Sequence, residues 1–213
     1  PLAIIRGESQ VAISKEDRKP DEYRESLSIV HDESLRLAKI VEDLFTLARA
    51  DGGQLKPQLA PVFLDEILME CVHAIGGLAK KRHIKIDLSA PKELKLSGDE
   101  ALLHRMFLNL LDNAIKYNRE SGSVFIEAKI EEKMFAVSIK DTGVGIAPED
   151  RDKIFKRFYR ADKARTRNNS DGKNGIGLGL SIAASIAEIH NGSLTLKRTG
   201  SEGSAFEVQL PRD

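Results

Sequence analysis

The chain has 213 residues, 41% hydrophobic and 31% charged, which is typical of a packed globular protein with room for one ordinary domain and a smaller element. Its 33 basic and 33 acidic side chains cancel, whereas broad binding to nucleic acid or to an anionic membrane requires a basic excess. We therefore expect no nucleic-acid partner and no direct membrane contact. The single cysteine, Cys71, excludes an intrachain disulfide, and its place on the apolar side of a helical pattern favours an inert core thiol.

Two helices are predicted at the start of the chain. A short apolar helix covers Leu2 to Ile13, a polar turn covers Ser14 to Pro20, and a long helix without internal proline runs from Asp21 to Asp51. Apolar residues recur along the long helix at spacings of three and four, interrupted only by Ser34, and they are Leu27, Val30, Leu37, Val41 and Leu44. Such a stripe is typical of helices that pack lengthwise on other helices. We predict a hairpin that forms a four-helix bundle with a second copy; packing on its own globular half is the alternative.

The rest of the chain mixes helices and strands. Helices are predicted at about Leu64 to Lys81, Asp99 to Tyr117 and Gly179 to His190. Strands are predicted at Ile84 to Leu88, Glu93 to Leu96, Ser123 to Ile130, Lys133 to Asp141, Ser193 to Lys197 and Ala205 to Leu210. These elements do not alternate as parallel βαβ units would. We therefore predict the α+β class, with a helical hairpin over 1–53 followed by an α/β sandwich over 54–213.

Asp141 is the last residue of a predicted strand, and it lies on the same face of that strand as the apolar residues. Phe135, Val137 and Ile139 share a face by two-residue alternation, and Asp141 falls on the same face. A carboxylate that points inward needs hydrogen-bond donors, because burying it alone costs several kcal/mol. The glycines at 143 and 145 let a ligand approach the backbone, and a flat amine-bearing ligand such as adenine would satisfy the carboxylate. A capping aspartate in a tight turn is the alternative.

The helix from Asp99 to Tyr117 carries polar residues beside its apolar stripe. Asn109, Asn113 and Lys116 are spaced by four and three, so they share one ridge. Amide oxygens are suited to Mg²⁺ and an ammonium is suited to phosphate, so this ridge fits a polyphosphate with its metal. A solvated polar face is an equally good interpretation of this helix alone.

A glycine-rich segment precedes the last predicted helix. Glycines stand at positions 172, 175, 177 and 179. Glycines before a helix expose backbone N–H groups and the positive end of the helix dipole, which favours phosphate. The segment is not a Walker loop, because no Gly-Lys-Ser/Thr sequence follows, and Leu180 stands where a dinucleotide fingerprint needs its third glycine. A flexible glycine loop is the alternative for this segment alone.

Taken together and in this order, the three motifs resemble a known family. The run from Asn109 to Tyr117, the Asp-x-Gly-x-Gly motif at 141–145, the segment Ile154 to Arg160 and the glycines of 175–179 resemble the N, G1, F and G2 boxes of sensor histidine kinases. Gly203-Ser204-Ala205-Phe206 is similar to the last glycine box of that family. The resemblance covers about Leu59 to Pro211.

The front of the chain is also similar to that family. The end of the long helix, 44–49, resembles the second helix of the dimerisation and phosphoacceptor hairpin. Pro1-Leu2 matches the end of the family's His-Glu-x-x-x-Pro box, so we expect the chain to begin just after the phosphoacceptor histidine. His31-Asp32 lies in the second helix without a following proline, so His31 is interpreted as an ordinary bundle residue, with phosphate acceptance as the alternative. His73, His83, His104 and His190 show no metal-ligand spacing with a cysteine or an acidic cluster, which argues against structural zinc.

The resemblance implies a function and a set of site residues. The cofactors would be ATP and Mg²⁺, with Asn113 on the metal, Asp141 on the adenine amine, and a lid from about Ala161 to Gly179 that Phe155 and Phe158 anchor against the helices. The implied nucleotide-binding residues are Asn109, Asn113, Lys116, Tyr117, Asp141, Gly143, Gly145, Ile146, Arg160, Gly175, Gly177, Leu178, Gly179 and Leu180, with Lys116 and Arg160 catalytic.

The same resemblance implies partners and a location. The partners would be a second copy of the chain and the receiver domain of a response regulator, and the chain would be cytoplasmic within a membrane-anchored protein. Related ATPases have a glutamate four residues before the metal-binding asparagine, where this chain has Asn109, so rapid hydrolysis is not expected. A kinase core ranks first, a nucleotide-binding regulatory module without turnover second, and an ATP-driven conformational ATPase third.

Overall fold

The computed structural model describes residues 1–14, 18–161 and 176–212. Contacts within the chain divide it into two units, Pro1–Arg49 and Ala50–Asp213. Among the helices of the described residues, none combines the length and the apolar character that crossing a bilayer requires.

The first unit contains the two predicted helices. Helix α1 spans Leu2–Ser14 and helix α2 spans Pro20–Asp51. Proline suits the first turn of a helix, where its missing N–H would have no partner, and this explains the start of α2. Ser26 of α2 is buried, donates a hydrogen bond to Glu8 Oε2 of α1 at 3.0 Å and accepts one from Arg18 at 3.0 Å. This polar contact ties the two helices of the hairpin together.

Large apolar side chains of the hairpin stay exposed in the single chain. They are Leu2, Ile4, Val11, Ile13, Leu27, Leu35, Val41, Leu44 and Phe45. The serine that interrupts the predicted stripe, Ser34, donates its hydroxyl to the Val30 carbonyl at 2.7 Å, so its polarity is satisfied within the helix.

The second unit contains a mixed five-stranded sheet with the order β2-β4-β5-β7-β6 and a two-stranded sheet that pairs β1 with β3. The strands are β1 Ala60–Phe63, β2 Lys85–Ser89, β3 Lys95–Gly98, β4 Ser123–Glu131, β5 Met134–Asp141, β6 Ser193–Gly200 and β7 Gly203–Pro211. Strands β4, β5, β7 and β6 pair antiparallel in that order, whereas β2 pairs parallel to β4. The predicted α+β sandwich is confirmed.

Three helices pack against this sheet, namely α3 Leu64–Lys81, α4 Glu100–Lys116 and α5 Gly179–Ile189. Asp99 caps α4 by accepting a hydrogen bond from the Leu102 N–H at 3.1 Å. The fully buried core includes Leu68, Leu103, Phe107, Leu111, Val137, Ile182 and Val208. Cys71 is buried beside them, and burial raises the pKa of its thiol to about 12, as expected for an inert core cysteine. Helix α4 lies between α3 and α5, so its remaining faces are available for a site.

Candidate functional site

Asp141 ends β5 and is 6% exposed. Its Oδ1 accepts hydrogen bonds from the Gly143 N–H at 2.7 Å and the Ser204 N–H at 3.3 Å. A carboxylate offers about four acceptor positions, so capacity remains for a ligand's amine. Burial raises the pKa of Asp141 above its ordinary value, and the backbone hydrogen bonds from Gly143 and Ser204 oppose this rise. The carboxyl group therefore points into the core, as the strand parity predicts. The hydrogen bonds from Gly143 and Ser204 offset only part of the cost of burying it.

The loop after Asp141 is held on two sides. The Val144 N–H donates to the Tyr117 carbonyl at 3.2 Å, and a side chain at Gly143 would place its Cβ 2.4 Å from that same oxygen. Gly145 has φ +69°, and a Cβ there would lie 1.9 Å from the Gly200 carbonyl oxygen. Only glycine fits such contacts. The loop is thereby clamped between the end of α4 and the β6–β7 turn.

Ile146 is fixed by a residue that the sequence analysis did not select. Its N–H donates to Thr199 Oγ1 at 2.7 Å, and that hydroxyl also lies 3.0 Å from Ser204 Oγ. Fifty-three positions separate Ile146 from Thr199, so no local pattern could have indicated this contact. The β6–β7 turn thus supports both the loop and the carboxylate of Asp141.

The predicted polar ridge of α4 is half-buried. Asn109 Nδ2 is buried and finds no hydrogen-bond partner within the described residues, which is costly unless a ligand satisfies it. Lys116 is ion-paired with Asp112, one turn earlier on the same helix. Tyr117 ends the helix, and its backbone N–H bonds to the Asn113 carbonyl at 3.0 Å. The ridge therefore contains an amide that lacks a partner and an ammonium already close to an anion.

The beginning of α5 faces this ridge. A Cβ on Gly179 would lie 3.7 Å from Asn109 Oδ1 and 3.8 Å from Asn113 Nδ2, so the first turn of α5 stands next to both amides. Gly177 has φ +82°, and a Cβ there would meet the Tyr159 carbonyl at 2.5 Å. Leu178 is buried, and Leu180 lies in the first turn of α5. All three predicted motifs therefore meet around α4.

Some of the predicted lid can be located. Gly175 and the lid residues from 162 to 175 lie outside the described residues, whereas Arg160 is described and half-buried. The predicted anchoring of the lid against the helices by Phe155 and Phe158 stays a prediction, because residues 162–175 lie outside the described residues. The Phe155 ring packs edge-to-face on Phe206 of β7, with centroids 6.3 Å apart, and Phe158 has φ +60° and is 57% exposed. Because Phe206 belongs to β7, the Phe155 contact connects this segment to the sheet.

One histidine, His104, has neighbours that the sequence analysis did not predict. Glu100 and His104 are one helical turn apart on α4, and Glu70 of α3 joins them, so that ligand atoms of the three residues all lie within 4.8 Å of one another. The prediction that His104 has no acidic metal-ligand neighbour is therefore wrong. The spacing of four on a helix was visible in the sequence, but the contribution of α3 was not.

Matches to family models agree with the fold. The family described as "Histidine kinase-, DNA gyrase B-, and HSP90-like ATPase" matches residues 98–213, which include α4, the glycine motifs and the main sheet apart from β2. The family described as "His Kinase A (phospho-acceptor) domain" matches residues 1–53, which include the hairpin. The second unit is thus an ATPase-type domain of the class that histidine kinases share with gyrase and the HSP90 chaperone.

Comparison with individual proteins narrows this broad ATPase class to one family. The chain is 34% identical over 216 residues to Sensor protein SrrB of Staphylococcus aureus (strain NCTC 8325 / PS 47), a match that covers 100% of this chain and 36% of SrrB. The Acinetobacter baumannii histidine kinase AdeS superposes with a TM-score of 0.78 at 21% identity, covering 100% of this chain and 95% of the other. Histidine kinase ThkA, in its complex with response regulator protein TrrA, superposes with a TM-score of 0.74 at 22% identity, covering 100% and 58%. The chain belongs to the sensor histidine kinase family and spans about a third of the length of SrrB.

Proposed function

We propose that this chain binds ATP with Mg²⁺ and is the kinase core of a sensor histidine kinase. In the whole protein, that core would phosphorylate a histidine and pass the phosphate to an aspartate of a response regulator. The observation that carries the proposal is the meeting of three separate motifs around one helix. Gly143 touches the carbonyl of Tyr117 at the end of α4, and Gly179 stands beside Asn109 and Asn113 on the same helix.

The adenine base of ATP is assigned to the end of β5 and the loop that follows it. Asp141 would accept a hydrogen bond from the exocyclic amine of adenine, since its carboxylate is buried and has unused acceptor positions. Gly143, Gly145 and Ile146 would form the wall of the base pocket, because the contacts with Tyr117, Thr199 and Gly200 hold this loop in one place.

The phosphates are assigned to the ridge of α4 and the start of α5. Asn113 would hold Mg²⁺ through its amide oxygen, and Asn109 supplies a buried amide in need of a partner. The backbone of 177–180 would contribute N–H groups at the positive end of the α5 dipole. Lys116 and Arg160 would bring positive charge, Lys116 by exchanging its partner Asp112 for phosphate. Tyr117 would flank the nucleotide.

Phosphoryl transfer depends on positioning and charge neutralisation more than on covalent chemistry by the protein. Mg–ATP supplies the transferred group, while the residues above orient it, balance its charge and exclude water. The position at which related ATPases have a glutamate base holds Asn109, whose amide cannot take a proton from water. Transfer to a histidine is therefore favoured over rapid hydrolysis.

The hairpin is assigned to dimerisation and to the response regulator. Exposed leucines, isoleucines and a phenylalanine on α1 and α2 form more apolar surface than a single hairpin can cover, which supports pairing with a second copy. A relative of similar fold, ThkA, has been solved in complex with the response regulator TrrA, which supports a receiver-domain partner. We assign 1–53 to the hairpin and 54–213 to the nucleotide-binding domain on the basis of these two proposed roles.

Calorimetric titration with Mg–ATP tests the proposal directly. We expect one binding site per chain, and Asn113→Ala should weaken Mg–ATP binding by at least about tenfold because it removes a metal ligand. Gln209→Ala is the matched control, since it removes an amide that bonds Glu207 on β7, away from α4. Equal affinities for wild type and Asn113→Ala would contradict the assignment.

The kinase step needs a second assay. A longer chain that carries the family's His-Glu box ahead of residue 1 is incubated with γ-labelled ATP, and acid-labile label on the histidine is expected. Nucleotide binding without any phosphohistidine, or any transfer to a receiver domain, would favour the regulatory module without turnover.

A further inference from the structure

Glu70, Glu100 and His104 form a cluster on the surface where α3 meets α4. Their ligand atoms lie within 4.8 Å of one another, and they come from two helices. The Glu70 side chain is 64% exposed and that of His104 is 23% exposed, so an ion can enter from solvent. None of the residues assigned to the nucleotide belongs to this cluster, which therefore has no role in the proposed function.

Helices α3 and α4 fix the relative positions of these three side chains. Glu100 and His104 are four residues apart on α4, a spacing that puts both side chains on one face. Glu70 sits beside Cys71 on α3, and Cys71 contacts His104 across the interface between the two helices. The cluster thus rests on a packed helix pair rather than on a loop, as an accurate site requires.

Both nitrogens of the His104 ring have a neighbour, Cys71 on one side and Glu70 on the other. The Cys71 thiol donates to the His104 carbonyl, with sulfur and oxygen 3.7 Å apart, and its sulfur lies 3.4 Å from His104 Nδ1. When the thiol proton lies on that carbonyl, the sulfur can accept from an Nδ1–H, which leaves the Nε2 lone pair for an ion. The other nitrogen, Nε2, faces Glu70, whose Oε2 is 2.9 Å away.

The close approach of His104 Nε2 and Glu70 Oε2 is satisfied in one of two ways. A proton on Nε2 is one solution, and a metal ion held by all three side chains is the other. The third member, Glu100, adds a second carboxylate, whose ligand atom lies within 4.8 Å of the other two. An ion with two positive charges balances both carboxylates and uses the lone pair of the imidazole.

We propose that Glu70, Glu100 and His104 bind a first-row divalent metal of the zinc type, with His104 Nε2 and one oxygen of each glutamate as ligands and water completing the shell. Imidazole and carboxylate together suit Zn²⁺ and its neighbours, whereas Mg²⁺ and Ca²⁺ prefer oxygen alone. Cys71 is a positioning residue that holds the ring through Nδ1, in the way that outer partners orient metal-bound histidines. The bound ion would join α3 to α4.

The test uses the whole chain without nucleotide, so its result does not depend on ATP binding. Zn²⁺ is titrated by calorimetry, and Co²⁺ is titrated as a visible-light probe of coordination. We expect one equivalent to bind, the melting temperature to rise on addition of Zn²⁺, and an excess of Mg²⁺ not to compete. Glu70→Gln, Glu100→Gln and His104→Gln should each weaken Zn²⁺ binding by at least about tenfold.

Matched controls lie on α3. Glu66→Gln and His73→Gln remove an exposed carboxylate and an exposed imidazole outside the cluster, and both should bind Zn²⁺ as wild type does. Binding that survives in the triple variant of Glu70, Glu100 and His104, or that is lost only in His73→Gln, would overturn the proposal. So would the absence of binding in wild type, or displacement of Zn²⁺ by Mg²⁺ at comparable concentration.

Discussion

Asp141→Asn separates the role of Asp141 in binding from its effect on stability. The substitution keeps the shape of the side chain and an oxygen that accepts from the N–H groups of Gly143 and Ser204, at 2.7 and 3.3 Å in the native chain. It replaces the other carboxylate oxygen by an NH₂ group, which is a donor. The variant should fold, yet it offers adenine a donor where the amine of the base needs an acceptor.

The expected loss follows from the hydrogen bond that disappears. A hydrogen bond to a charged group contributes about 1.5–3 kcal/mol, which corresponds to a roughly 10- to 150-fold weaker affinity for ATP. Guanine carries an oxygen at the position of the adenine amine, so the new NH₂ group should favour GTP. The preference for ATP over GTP should therefore disappear in the variant.

The effect on stability has the opposite sign. Burial places the pKa of Asp141 above its ordinary value of 3.8, so the native state holds this proton to higher pH than the unfolded state does. As pH rises through that window, the native state loses stability, and at neutral pH the buried charge destabilises the fold. Asp141→Asn should melt at a higher temperature than wild type at neutral pH, and the difference should narrow as pH falls towards 3.8.

Two assays test the binding role of Asp141 and the effect of its burial on stability. Calorimetry with ATP and GTP gives the selectivity, and thermal melts across acidic and neutral pH give the stability. Asp87→Asn, on the exposed side of β2, is the control and should change neither result. An unaltered ratio of ATP to GTP affinity in Asp141→Asn would refute the assigned role, and a lower melting temperature at neutral pH would refute the account of its burial.

Three further substitutions or probes test the packing around the site and the hairpin. Gly145→Ala should lower the free energy of unfolding by about 1–3 kcal/mol, since φ is +69° and a Cβ meets the Gly200 carbonyl, whereas Gly200→Ala, with open space at its Cβ, should be near neutral in urea melts. Cys71 should resist a thiol-specific reagent at neutral pH and react only after unfolding, because its pKa is about 12; rapid reaction of the native chain would contradict this. Ser26→Ala should destabilise the hairpin by about 1 kcal/mol and exposed Ser28→Ala should not, as seen by thermal melting.

Much of the fold was predictable because its elements have strong local signals. Helix α3 begins and ends where its apolar periodicity does, and α4 begins after Asp99, a good capping residue. Strand β1 was missed, since four residues that include Pro61 carry little pattern. The parallel pairing of β2 with β4 was not predictable, because it depends on a connection through β3 and α4.

In the candidate site too, some features follow from local sequence patterns and others do not. Asp141 and the α4 ridge follow from two-residue and helical periodicity, so strand parity and helix spacing found them. The supports of the site are distant in sequence: Thr199 holds Ile146 and Phe206 holds Phe155. Glu70 joins His104 only because α3 and α4 pack together. Contacts of this kind are set by tertiary packing and leave no trace in a local pattern.

Amide hydrogen exchange with and without Mg–ATP tests the central claim most directly, namely that three separate motifs form one nucleotide pocket. Added Mg–ATP should slow exchange together in residues 109–117, 141–146 and 176–180, while the exposed end of β4 near Lys129 and Glu131 stays unchanged. Slower exchange in only one of these three segments, or mainly on the outer side of β4, would contradict it.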